Sequence, residues 1–111
     1  MRKCIINIKD KDYELVLTRN SVKWLENFGF SLEEFDKKPV TFYDILWNAG
    51  FVEKYPHVHP GLAEKLRESY EEEDGDVSEV IKFIVQEYTA FIHALADTES
   101  KKKKKATITE E

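Results

Sequence analysis

The fold is decided by the start of the chain, which reads Lys3-Cys4-Ile5-Ile6-Asn7-Ile8-Lys9, then Asp10-Lys11-Asp12, then Tyr13-Glu14-Leu15-Val16-Leu17. In both apolar runs every second residue belongs to one face, the pattern of a strand that is buried on one side. The charged residues between the runs lack the Asn-Gly or Asp-Gly pair of the tightest turns, so we expect a loop of about three or four residues. The stretch predicts a two-stranded β-hairpin over residues 3–17, which needs a helix across its apolar face.

Apolar residues spaced by three and four positions follow the hairpin and predict helices. Thr18 or Asn20 can cap the first helix, over about residues 19–28, and Gly29 suits its end. The expected apolar stripe of this helix comprises Val22, Leu25 and Phe28, extended by Trp24.

Two more helices are expected in the middle of the chain. Ser31-Leu32-Glu33-Glu34 is a capping-box pattern, which opens a short helical segment that Pro39 ends. Thr41 then caps a helix over residues 42–50, and a proline-rich turn leads to a polar helix over residues 61–71.

The strongest helical pattern lies over residues 77–96. Its apolar positions recur over about five turns and are Val77, Val80, Ile81, Ile84, Val85, Tyr88, Phe91, Ile92 and Leu95. From residue 97 the chain is polar, so residues 97–111 are expected to form a disordered Lys-rich tail. The sequence therefore predicts a single α+β domain over residues 1–96. We expect it to be small and mainly helical, with an N-terminal two-stranded β-hairpin and a long C-terminal helix.

Composition and charge narrow the function. Residues 1–100 carry 12 basic and 20 acidic side chains, a net charge of −8, whereas residues 101–111 carry five lysines against two glutamates. Because residues 1–100 are strongly negative, they repel the phosphate backbone of nucleic acids, which disfavours nucleic-acid binding by the folded part. No apolar run approaches the roughly 20 residues of a membrane span, and no signal-peptide pattern is present. We expect a cytoplasmic protein, in which the single Cys4 is a small buried hydrophobe.

No motif in the chain predicts catalysis. His57 and His59 have the spacing of metal ligands but lack a third ligand, so an exposed turn is the favoured interpretation. The acidic run over residues 71–76 lacks the alternating ligands of a calcium loop. Neither a phosphate-binding glycine loop nor a serine-nucleophile motif occurs. We therefore expect a non-enzymatic protein with no cofactor and no metal.

One row of aromatic residues stands out on the helix over residues 42–50, which is apolar around most of its circumference. A helix of this kind is either deeply buried or buried against a partner. Phe42, Ile45 and Leu46 are sufficient to explain how the helix packs against the core. The second row of aromatic residues then has two interpretations, as part of the core or as an interface with a partner. The candidate partner-binding residues are therefore Tyr43, Trp47 and Phe51.

Four short motifs occur in a definite order: Ile6-Asn7-Ile8, Tyr13-Glu14-Leu15 with Leu17-Thr18, Trp24-Leu25-Glu26 closing at Gly29, and Asp44-Ile45-Leu46-Trp47-x-Ala49-Gly50-Phe51. Over roughly residues 3–95 the chain resembles the tail assembly chaperones of long-tailed bacteriophages and prophages. The resemblance implies a non-enzymatic helper in the bacterial host cytoplasm. Such a helper binds the tape-measure protein, helps to recruit tail-tube subunits and is not part of the mature virion.

Other functions stay open beside the chaperone. The same aromatic surface would serve a phage-encoded inhibitor or adaptor of a host protein, or self-association, and the Lys tract could contact nucleic acid. The chaperone family commonly makes a longer product by programmed frameshifting. Lysine codons are adenine-rich, so Lys101–Lys105 predicts such a slippery site, with an ordinary solvated tail as the alternative. The genes on either side would separate these hypotheses.

Overall fold

The computed structural model describes residues 2–97. Within them the chain forms, in order, β1 (Cys4–Ile8), β2 (Lys11–Leu15), α1 (Arg19–Asn27), α2 (Leu32–Lys37), α3 (Pro39–Ala49), α4 (Pro60–Glu72) and α5 (Val77–Asp97). The predicted class, a mainly helical α+β domain with an N-terminal hairpin and a long C-terminal helix, is confirmed. The predicted tail over residues 97–111 lies outside the described residues, apart from Asp97, where α5 ends.

The hairpin turns more tightly than predicted. β1 pairs antiparallel with β2 so that Ile8 lies opposite Lys11, which leaves only Lys9 and Asp10 in the loop. Both loop residues have positive φ, 51° and 64°, as a type I′ turn requires. The expected loop of three or four residues is therefore wrong, because the twist of the paired strands favours this turn even without glycine. The predicted inner face is confirmed except at Cys4, which is half-buried; its buried members are Ile6, Ile8, Tyr13, Leu15 and Leu17.

Helix α1 has caps at both ends. The Thr18 hydroxyl accepts from the Ser21 N–H, and the Ser21 hydroxyl accepts from the Thr18 N–H at 3.1 Å, which makes a capping box. Gly29 follows the helix with φ 81°. The Phe30 N–H then donates to the Leu25 carbonyl at 3.1 Å, so the chain reverses and buries Phe30.

Proline begins two of the helices. Pro39 stands in the first turn of α3, so Thr41, the predicted cap, lies inside the helix. Proline suits a first turn because its missing N–H would have no helical partner there. Pro60 begins α4 in the same way, after His59, whose Nδ1 accepts from the Leu62 N–H at 3.3 Å.

The core is centred where β2, α3 and α5 meet. Gly50 follows α3, and a Cβ at this position would stand 3.1 Å from Ile84 Cδ1 and 3.4 Å from Leu15 Cβ. The Gly50 carbonyl also accepts from the Val16 N–H at 3.3 Å. The predicted stripe of α5 is buried from Val77 to Tyr88 except at Val85, which is half-buried, whereas Leu95 is 43% exposed.

Ile84→Asp is expected to unfold the protein. Ile84 has no exposed surface, so an aspartate there is a buried charge without a partner, with an expected loss of about 4 kcal/mol or more. Chemical denaturation measures the effect, and Ile84→Val, at about 1 kcal/mol, is the control. A near-wild-type free energy of unfolding for Ile84→Asp would contradict this packing.

The outer face of the hairpin predicts a dependence of stability on pH. The Glu14 carboxylate accepts hydrogen bonds from Lys54 and from Lys3, the latter at 3.0 Å, and these lower the pKa of Glu14 from 4.5 to about 2. Because the folded-state pKa is lowered, the stabilisation is present above the ordinary pKa and is lost as the pH falls toward 2.

Thermal melts of wild type and Glu14→Gln should therefore differ at neutral pH and converge as the pH is lowered through this window. Glu14 lies at the surface, so high salt should shrink the difference. A difference that stays constant down to the acid end would contradict the role given to this carboxylate.

Candidate functional site

The predicted aromatic row does not form a surface. Trp47 is 1% exposed and Phe51 is fully buried, whereas Tyr43 is half-buried. Two of the three candidate partner-binding residues therefore belong to the core, and the expectation of an exposed row is corrected. Tyr43 alone keeps access to solvent.

Helix α4 and the loop after α3 bury the row. The Trp47 indole N–H donates to the Ala63 carbonyl at 2.9 Å, and its ring stacks on Tyr70 with centroids 5.8 Å apart. Phe51 contacts the edge of Tyr13 at 5.6 Å. The side of α3 that carries Trp47 is therefore covered by α4, and the domain buries a helix that is apolar around most of its circumference.

A different aromatic pair is exposed at the surface. The rings of Trp24 and Phe28, one turn apart at the end of α1, lie 4.4 Å from centroid to centroid. Phe28 is 46% exposed and Trp24 is half-buried. Phe28 was predicted to lie in the core stripe, but the buried residues of α1 are Ser21, Val22 and Leu25.

The aromatic pair borders a groove of about 210 Å³ between α1, α3 and α4. The groove is lined by Trp24, Phe28, Asp44, Ile45, Trp47, Asn48, Pro60, Glu64 and Arg67. A second groove, of about 340 Å³, lies beside it and shares Asp44 and Arg67 with the first. Val40, 80% exposed, and Tyr43 line this second groove. We call the two together the α1/α3/α4 groove.

Ion pairs hold the rim of the α1/α3/α4 groove. Arg67 Nε lies 3.4 Å from Asp44 Oδ1, and Arg67 Nη1 donates to Glu71 Oε1 at 3.0 Å. Burial, and then the charge of Glu71, raises the pKa of the Tyr43 hydroxyl. The groove combines an apolar floor with a polar rim, the composition of a protein-binding site.

One buried polar side chain lies against the groove. Asn48 is 2% exposed; its Nδ2 donates to the Val58 carbonyl at 3.1 Å, while its Oδ1 has no hydrogen-bond partner among the described residues. The donated bond fastens the loop before α4 to the C-terminal end of α3. Asn48 therefore supports the wall of the groove from behind.

The other residues weighed as sites are dispersed. His59 caps α4, His57 and His93 are exposed, and burial raises the pKa of the half-buried Cys4 thiol. Within residues 2–97 no three His, Cys, Asp or Glu side chains are grouped so as to hold a metal ion. Nor does this part of the chain contain a helix that is long and apolar enough to cross a membrane.

Sequence reasoning missed the Trp24–Phe28 pair because it assigned both residues to the stripe of α1. A signal was available: positions i and i+4 share a line along the helix, and that line is offset from Val22 and Leu25. The groove itself depends on how α4 crosses α3, which no local pattern encodes.

Trp47→Ala is expected to destabilise the fold, whereas Phe28→Ala is expected to change stability little. Removing the buried indole leaves a cavity and loses its hydrogen bond to the Ala63 carbonyl, with an expected loss of about 3–5 kcal/mol. The exposed Phe28 should cost about 1 kcal/mol or less. Urea denaturation of both variants measures this contrast, and a stable, folded Trp47→Ala protein would return Trp47 to the list of surface residues.

Comparison of the chain with curated proteins and with solved structures gave no match. A family model described as a domain of unknown function matches residues 1–111. On that match, the chain belongs to the DUF5055 family.

Proposed function

We propose that this protein is a non-enzymatic tail assembly chaperone of a long-tailed phage or prophage. In this role it binds the tape-measure protein in the bacterial host cytoplasm, helps to recruit tail-tube subunits and is left out of the mature virion. The resemblance in the order of its elements supports the proposal. The observation that carries it is the contact of half-buried Trp24 with the exposed ring of Phe28 beside an apolar groove.

The α1/α3/α4 groove has the properties of a client site. Interface anchors are enriched in Trp, Tyr and Arg, and Trp24, Tyr43 and Arg67 supply one of each around it. An apolar side chain of the client in the first groove would cover Phe28, and a second apolar side chain, one helical turn further along the client, would cover Val40. The two grooves are separated by Asp44 and Arg67, and this arrangement suits an amphipathic helix, whose apolar anchors recur every three or four residues.

Charge favours a client with a basic face. The rim of the first groove carries Asp44, Glu64 and Arg67, and because Arg67 pairs with Asp44, the carboxylate of Glu64 gives the rim a net negative charge. The net charge of −8 over residues 1–100 extends the same field over the body of the protein. A tape-measure helix with lysine or arginine flanking its apolar stripe would therefore be steered toward the groove.

A phage-encoded inhibitor or adaptor of a host protein is the alternative, and the same groove would serve it. The flanking genes discriminate between the two: a tail-tube gene upstream and a very long tape-measure gene downstream belong to the chaperone. We extend the proposal to Lys101–Lys105, outside the described residues, as the slippery site for a longer product. Synonymous recoding of the tract should abolish that product.

The double variant Trp24→Ala/Phe28→Ala should weaken binding of the neighbouring tape-measure product by about thirtyfold or more, the ratio given by a loss of ~2 kcal/mol. Pull-down and calorimetric titration measure the binding, and thermal melts show whether the variant stays folded. Leu32→Ala is the matched control, because Leu32 is 41% exposed but does not line the groove.

Equal binding by the double variant and the wild type would reject the groove as the client site. Failure of the wild type to bind the tape-measure product would reject the chaperone. If a host protein is retained instead and that retention needs Trp24 and Phe28, the adaptor is the correct function.

A further inference from the structure

The two edges of the hairpin differ in whether their outward-pointing main-chain groups have hydrogen-bond partners. On the outer edge of β2 the Glu14 N–H donates to the Tyr55 hydroxyl at 2.8 Å, and the Val16 N–H donates to the Gly50 carbonyl. Main-chain groups in an antiparallel strand point alternately toward and away from the neighbour. Because Glu14 points away from β1, its cross-strand partner Ile5 must point away from β2.

By the same alternation, the main-chain groups of Lys3, Ile5 and Asn7 point away from β2, toward the outer edge of β1. The N–H of Lys9, two residues after Asn7, also points outward and donates to Glu73 Oε1 at 2.8 Å, which agrees with this alternation. Among residues 2–97 no hydrogen bond is found for the N–H of Ile5 or of Asn7 outside the hairpin. The middle of this edge is therefore open.

The open edge also lacks the usual protection. Exposed edge strands are commonly guarded by lysines, but the Lys3 amine is drawn across the outer face to Glu14, 3.0 Å away. At the centre of the edge stands Ile5, a β-branched apolar residue that is 56% exposed. The edge therefore offers both main-chain hydrogen bonds and an apolar contact to another strand.

We propose that two copies of this protein pair antiparallel through their β1 edges and form a four-stranded sheet, β2–β1–β1–β2. A two-fold axis at Ile5 sets each Ile5 against its counterpart and sets Lys3 opposite Asn7 of the second copy. All three residues point their main-chain groups outward, so each facing pair exchanges hydrogen bonds. The side chains of Ile5 then cover one another on the outer face.

Charge complementarity selects a second copy as the occupant. In this register Arg2 lies opposite Ile8 of the second copy, beside the end of α4 that carries Glu73, in the acidic run over residues 71–74. Within one copy the Arg2 side chain is 63% exposed and contacts α5 instead, with Glu87 at 3.3 Å, Gln86 Oε1 at 3.4 Å and the centre of the Phe83 ring at 5.3 Å. Pairing about the two-fold axis thus brings basic Arg2 to acidic Glu73 at both ends of the joined strands.

The surroundings of the edge give no comparable preference for a foreign strand. The neighbouring groove, of about 570 Å³, presents Asp76 and Glu79 together with Lys82 on its far wall. Mixed charges of this kind do not select the charge of an added peptide. None of the residues of this groove lines the α1/α3/α4 groove, so the pairing is independent of the client site.

Complementary charge reversal tests the proposal on the full chain. Sedimentation velocity should show a dimer for the wild type and at least about tenfold weaker dimerisation for Arg2→Glu and for Glu73→Lys, because each variant sets like charges together at both ends. An equimolar mixture of the two variants should restore the dimer. In the mixed dimer the new glutamate of one variant faces the new lysine of the other, and at the opposite end the unchanged Arg2 faces the unchanged Glu73. Native mass spectrometry would identify it as the mixed species.

Asn7→Pro provides a second test. Proline has no N–H, so this substitution removes one of the outward-pointing donors and blocks the addition of another strand. The pairing of β1 with β2 is kept, because the N–H of residue 7 points away from β2. We expect a monomer whose melting temperature is close to that of the monomeric charge variants. Trp24→Ala/Phe28→Ala should dimerise as the wild type does, which separates this result from the fate of the client site.

A wild type that is monomeric up to about 1 mM would overturn the proposal. So would a dimer that Asn7→Pro leaves unchanged, or a mixture of the charge variants that stays monomeric. Capture of an extended foreign peptide at the edge by a monomeric wild type would assign the edge to another strand and would count against self-pairing.

Discussion

The rest of the structure depends on the close approach of Leu15 and Ile84 to Gly50. With no side chain at residue 50, the hairpin and the long helix α5 both reach the end of α3, and the carbonyl of Gly50 also receives the main chain leaving β2. A lone hairpin is marginal in water, so this three-way contact gives the sheet its stability. It also orients α3, and α3 in turn provides the floor of the α1/α3/α4 groove.

The orientation of α3 explains why the binding surface differs from the predicted one. With Phe42, Leu46 and Ala49 turned into the core, the opposite row would remain exposed unless a second cover existed. Helix α4 is that cover, held by the hydrogen bond from Trp47 to Ala63. What remains open is the flank between these helices, where α1 contributes Trp24 and Phe28. The large aromatic residues of α3 hold the site in place, and those of α1 face solvent.

Local patterns predicted the elements well and their mutual positions poorly. The hairpin face apart from Cys4, the break at Gly29 and the long C-terminal helix follow from spacing within a few residues and are confirmed, and of the two expected caps, Thr18 and Asn20, the structure uses Thr18. The two-residue turn was missed because strand twist outweighed the lack of glycine at Lys9 and Asp10. The division of aromatics between core and surface depends on how α4 crosses α3, a contact between distant parts of the chain that no local window contains.

The placement of the two tryptophans has an optical consequence. Trp47 is enclosed and hydrogen-bonded in the core, whereas Trp24 borders solvent at the groove. Their emission therefore comes from two environments of different polarity, one tied to global unfolding and the other to events at the surface. Quenchers in solution should reach Trp24 first, and a chain in which Trp24 is replaced by phenylalanine would leave a single core fluorophore. The native protein thus contains an enclosed fluorophore, Trp47, that reports on folding, and a solvent-accessible one, Trp24, at the edge of the groove.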